Sequence, residues 1–149
     1  MKSILVAFTM LIAGLAFAHD EGHGPKLTDS PKYGGKVAAV IDKKEVKLGI
    51  KAKLLYKTEI TKNNEGMIRV YFYDEKMNLL KDNTFLDGSA ELQFQDGKSK
   101  KWQSQEFKLE KKDGGFEGKL PTVPKKRFNV DVTVKNGEQS LFSAFDGLR

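Results

Sequence analysis

Both histidines of this 149-residue chain fall inside one pentapeptide, His19-Asp20-Glu21-Gly22-His23. Cleavage after Ala18 would make His19 the first residue, joining an α-amine to an imidazole. The amine ordinarily titrates at about 7.7–8.0 and imidazole at about 6.5, so both can shed protons near neutrality and chelate one ion. His23 then closes a second ring through Gly22, and Asp20 or Glu21 supplies an oxygen. Such a nitrogen-rich, oxygen-assisted set follows the Irving–Williams order, which favours Cu(II) over Ni(II) and Zn(II). The expected metal ligands are therefore His19, His23, Asp20 and Glu21, with Cu(II) or Zn(II) as the ion. An exposed, shallow site of this kind suits capture and hand-over better than catalysis. The bland alternative is a polar tail in which two histidines coincide.

That chemistry depends on processing, and residues 1–18 read as a signal peptide. Lys2 supplies the positive start, and Ile4 to Phe17 is apolar except for Thr9 and Gly14. Ala16-Phe17-Ala18 is a small-x-small cleavage site. A membrane span needs about 20 apolar residues, more than this run offers. The expected product is soluble, periplasmic or secreted, with no transmembrane segment after cleavage.

Composition removes most other chemistry. The chain has no cysteine, so disulfides, thiolate metal sites and a Cys nucleophile are excluded. No GxSxG, HExxH or P-loop occurs, and the paired carboxylates Asp74-Glu75 and Glu110 with Asp113 fall at strand ends or turns. The reading is a protein that is not an enzyme. The net charge is +6, with lysines gathered at Lys98, Lys100 and Lys101, at Lys111 and Lys112, and at Lys125-Lys126-Arg127. Glu106, Glu110, Asp113 and Glu117 interleave with them, so they read as solubilising loops and strand ends. Without a nucleic-acid-binding motif, and in an exported chain, no nucleic-acid partner is expected. Tyr71, Tyr73 and Trp102 would suit a sugar-binding platform, or else form the second face of a strand and a core tryptophan.

The elements that must carry these groups are strands. Residues 19–35 hold four glycines, two prolines and scattered charge, and read as a flexible tail or linker. From residue 36 to 149, short apolar runs alternate with turn signals. Ile50, Ala52, Leu54, Tyr56, Thr58 and Ile60 form one face of an expected strand, with Lys51, Lys53, Leu55, Lys57 and Glu59 on the solvated one. Asn63-Asn64-Glu65-Gly66 turns the chain into Met67–Tyr73, where Ile68, Val70 and Phe72 share a face. Further strands are expected around residues 36–42, 90–95, 102–110, 116–120, 128–134 and 139–145. Asn136-Gly137 suggests a type I′ hairpin. Pro121 and Pro124 mark a crossover between sheets. The fold expected is all-β, an immunoglobulin-like two-sheet β-sandwich of about 7–8 antiparallel strands, with a partly open β-barrel as the alternative.

Several of these segments occur in a familiar order. His23-Gly24-Pro25, Tyr33-Gly34-Gly35-Lys36-Val37, Ile68-Arg69-Val70-Tyr71-Phe72-Tyr73-Asp74-Glu75, Phe128-Asn129-Val130-Asp131-Val132 and Phe145-Asp146-Gly147-Leu148-Arg149 follow one another along the chain. Together they resemble the amino-terminal β-sandwich domain of periplasmic adaptor (membrane-fusion) proteins of heavy-metal efflux systems. The resemblance runs from about His23 to Arg149 and implies an Ig-like periplasmic module linked to metal homeostasis. This sequence departs from the family in lacking the helical hairpin, lipoyl and barrel domains, in the extra stretch Lys26 to Lys32, and in having no histidine beyond His23. The expectation is a stand-alone module that does not bridge pump and channel. Two functions follow: binding or buffering of a divalent metal, or docking of an envelope or efflux protein partner through the sheet surface without metal.

Overall fold

The computed structural model describes residues 24–81 and 84–149. It contains eight strands: β1 (Lys36–Asp42), β2 (Tyr56–Lys62), β3 (Met67–Tyr73), β4 (Asp87–Gln95), β5 (Trp102–Lys112), β6 (Gly115–Lys119), β7 (Phe128–Asn136) and β8 (Gln139–Leu148). One short helix, α1 (Lys43–Lys47), follows β1. The strands close into an antiparallel barrel in the order β1-β2-β3-β6-β5-β4-β7-β8. Closure happens at two corners. β1 pairs with β2 through Lys36–Val40 and with β8 only through Ile41 and Asp42. β5 pairs with β4 from Trp102 to Leu109 and with β6 from Glu110 to Lys112.

This topology fits the barrel alternative, here closed, and does not establish the two-sheet immunoglobulin-like arrangement. The reason is that β1 and β5 each divide their hydrogen bonds between two layers. Period-2 patterning identifies which face of a strand points inward, and a sandwich and a barrel give the same pattern. The proline-flanked segment 120–127 does cross between layers, from β6 beside β3 to β7 beside β4 and β8.

Alternation builds the core. Ile60 from β2, Ile68, Val70 and Phe72 from β3, Leu92 from β4, Phe128, Val130, Val132 and Val134 from β7, and Leu141 and Phe145 from β8 are buried together. Burying side chains of this size contributes about 1.5–3 kcal/mol each. The Asn63 carboxamide ties the β2–β3 turn by accepting from the Glu65 and Met67 amides, and Gly66 there takes φ +79°.

Two local expectations are corrected. The strand expected from Ile50 begins only at Tyr56, and Ile50 is exposed. Asp42 caps α1 by accepting from the Lys44 amide, and Gly49 then turns the chain at φ +66°, so residues 43–55 form a helix and loop instead. At the last hairpin, Asn136 pairs with Gln139, so the turn residues are Gly137 and Glu138. Of these only Gly137 has positive φ, which suits a type II′ turn and not the expected type I′.

Candidate functional site

His19, Asp20, Glu21 and His23 all lie outside the described residues. The structure does show how the chain leading away from them joins the barrel. The anchor is Glu59. In β2 the residues flanking it, Thr58 and Ile60, point inward, which sends Glu59 to the barrel exterior, in register with Val37 of β1 and Tyr71 of β3. An outward carboxylate on a strand is ordinarily solvated, yet Glu59 is 0% exposed. Residues 24–35 lie over it as a strap.

The strap converges on that carboxylate. One oxygen of Glu59 accepts from the Tyr33 and Gly35 amides and the other from the Lys32 amide, each at 2.9 Å. The Tyr73 hydroxyl donates a fourth bond, also at 2.9 Å. Gly34, at φ +74°, supplies the left-handed step that lets neighbouring amides point into one concavity, an arrangement suited to anions. Around this hub the Tyr33 ring stacks on Tyr71 with centroids 4.1 Å apart, and the Arg69 guanidinium sits 5.2 Å from the Tyr71 ring. Asp29 pairs with Lys57 at 2.8 Å, and Leu27 packs against Ala39, Ile41 and Ala52. Gly24 approaches β1 so closely that an added Cβ would lie 2.8 Å from Ile41 Cγ2.

The part of the expected linker from Gly24 to Gly35 is thus in specific contact with the barrel, although among the described residues no regular strand starts before Lys36. The lone signal in the sequence is a mid-strand glutamate with a Tyr-Gly-Gly upstream, and nothing local joins the two. Chemically the hub is saturated: all four bonds come from the protein, so Glu59 anchors and has no vacant direction for a metal or a substrate proton. Burial, then the bond to Glu59, pushes the Tyr73 hydroxyl well above the ordinary phenol range, so it stays a donor.

Other sequence candidates are dispersed. Tyr71 and Tyr73 are buried under the strap, whereas Trp102 is 59% exposed at the start of β5, paired with Gln95 on β4. They form neither a shared platform nor, for Trp102, a core position. Odd strands run one way and even strands the other, so connections alternate between the two ends of the barrel. Lys98, Lys100 and Lys101 of the β4–β5 turn therefore share one end with Lys125, Lys126 and Arg127, while Lys111 and Lys112 lie toward the opposite end with α1. Asp74 uses its carboxylate to hold a turn, accepting from the Lys76 and Asn78 amides and the Asn78 side chain. Glu110 faces Glu117 across the β5–β6 ladder. Among the described residues no group of three His, Cys, Asp or Glu is placed to hold a metal ion, and no helix is long and apolar enough to cross a membrane.

Comparison with protein-family models, curated proteins and solved structures returned no match.

Proposed function

We propose that this is an exported periplasmic protein that binds or buffers a divalent metal, copper foremost, through a histidine-bearing amino terminus carried on a β-barrel. The proposed ligands are the His19 amine and imidazole and the His23 imidazole, with oxygen from Asp20 or Glu21. One observation carries the reading: both imidazoles of the chain stand within five residues, directly before a segment that a buried carboxylate holds to the barrel wall. An anchored base limits how far such a chelate can wander, which favours hand-over to a partner at a defined position. The resemblance to efflux adaptor domains supports a role in metal homeostasis or efflux. The protein is read as a binder, not an enzyme.

The test is calorimetric titration of Cu(II) and Zn(II) into the processed protein and into the His19→Ala/His23→Ala variant, after mass spectrometry has established His19 as the first residue. One equivalent should bind the former and not the latter, with affinity falling below about pH 6.5 as protons compete for imidazole. Superimposable isotherms would end the proposal.

A second reading, docking of an envelope protein partner on the sheet, is favoured by β5. Its Trp102–Lys108 stretch is laddered to β4 on one side and has no ladder partner on the other among the described residues. A processed protein that gives no metal isotherm yet cross-links to an envelope partner, with the cross-link lost in a folded Gln105→Pro variant, would select this reading.

A further inference from the structure

The most exposed large hydrophobic side chain among the described residues is Leu48, at 71%, and Ile50 two positions on is 54% exposed. Both stand on the turn that ends α1. That turn is closed by its own backbone: the Leu48 amide donates to Lys44 O at 3.1 Å, Gly49 to Val46 O at 3.2 Å and Ile50 to Glu45 O at 3.1 Å. Its neighbours Val46 and Ala52 pack with Leu27, Ile41 and Ala39. The tip is thus fixed on its inner side while two aliphatic side chains remain in water.

Charge surrounds them. Lys44, Lys47, Lys51 and Lys53 are all exposed. Glu45 is the only acid between Lys43 and Lys53, and its carboxylate turns back to accept from the Lys53 amide at 3.1 Å. Beside the tip an open hollow of about 410 Å³ is lined by Gly24, Pro25, Val46, Ile50, Lys51 and Ala52 among others. Leu79 and Leu86, also exposed, belong to the β3–β4 connection at the same end of the barrel. Gly24 also lies here, against Ile41 near the end of β1.

Two exposed aliphatic side chains with four exposed lysines within five positions of Leu48 are complementary to an anionic lipid bilayer: apolar tips enter the acyl boundary while ammonium groups meet phosphates. We infer that the α1 end of the barrel docks on an anionic membrane surface, with Leu48 and Ile50 inserting and Lys44, Lys47, Lys51 and Lys53 gripping headgroups. The basic clusters at the opposite end offer charge beside Trp102 and Val123, which do not stand together on a single closed turn. This inference is independent of the metal reading, because none of its residues is a proposed ligand.

The test is co-sedimentation of the processed protein with phosphatidylcholine vesicles, with and without phosphatidylglycerol. Sedimentation should require the anionic lipid and weaken as salt rises from roughly 0.1 M toward 1 M, where screening shortens to about 3 Å. Each Lys→Gln change among the four should lower partitioning about fivefold. The Leu48→Ser/Ile50→Ser variant keeps every charge and should still lose binding about tenfold or more; both side chains are exposed, so its urea unfolding curve should match the parent. As the chain has no cysteine, a polarity-sensitive dye on Lys47→Cys should shift to the blue with anionic vesicles, while one on Lys98→Cys should not. No sedimentation at low salt, undiminished sedimentation of the serine variant, a shift at Lys98→Cys alone, or binding to soluble polyglutamate but not to vesicles would each overturn the inference.

Discussion

Glu59→Gln removes the charge of the strap's anchor and keeps its shape. With its oxygen toward the Tyr33 and Gly35 amides, the new carboxamide retains two of the original 2.9 Å bonds. Its NH2 group then faces the Lys32 amide and the Tyr73 hydroxyl. The hydroxyl can rotate to accept, but the Lys32 N–H is left facing another donor. A buried orphan costs about 1–3 kcal/mol, and each of the three surviving bonds loses about 0.5–1 kcal/mol of charge assistance. Easier burial of a neutral amide offsets part of this, leaving a destabilisation of about 3 kcal/mol. The loss has a ceiling, because a strap that detaches before the barrel melts can subtract only its own docking free energy. Urea unfolding therefore needs a companion, hydrogen exchange at the Lys32, Tyr33 and Gly35 amides. The midpoint should fall by about 1–3 M for a slope of about 1–3 kcal/mol/M, and those three amides should lose protection. A variant within about 0.5 kcal/mol of the parent, with the three amides still protected, would refute the assignment of Glu59 as anchor.

Three further predictions test the same physical account. The Asn78 side chain and amide, with the Lys76 amide, hold the Asp74 carboxyl below its ordinary range. Its stabilising contribution is complete above that ordinary range, about 3.9, and disappears as pH falls through the lowered folded value; Asp74→Asn should flatten the acid limb of melting temperature against pH, and parallel limbs would count against it. Tyr73, whose folded pKa is raised chiefly by burial, contributes stability that is present below about pH 10 and lost as pH climbs further. Its phenolate absorbance should stay silent until the fold opens, and ionisation of Tyr73 in the intact fold would contradict the buried hub. A Cβ on Gly115 would lie 1.9 Å from Val70 O, whereas one on Gly97 meets nothing within 4 Å. Gly115→Ala should cost more than about 2 kcal/mol and Gly97→Ala under about 0.5 kcal/mol in urea unfolding; equal costs would disprove the close β3–β6 approach.

The amino-acid order alone was enough to place β1 at residues 36–42, β3 at Met67–Tyr73 and the Asn63–Gly66 turn between β2 and β3. Those features depend on neighbours in sequence: side chains alternate every second residue, and Gly66 accepts a positive φ. Sequence also singled out the neighbouring histidines, which lie outside the described residues, because the proposed chelate needs only short spacing. What it left open were the properties set by distant partners. Closure into a barrel depends on β1 and β5 dividing their edges between two layers. The burial of Glu59, read from its alternation as solvated, depends on residues more than twenty positions upstream delivering three amides to it. The exposure of Leu48 and Ile50 follows from a capped one-turn helix that interrupted an otherwise plausible strand pattern. Periodicity tells a side chain which way to face, but whether water or protein waits on that side is decided only when the rest of the chain arrives.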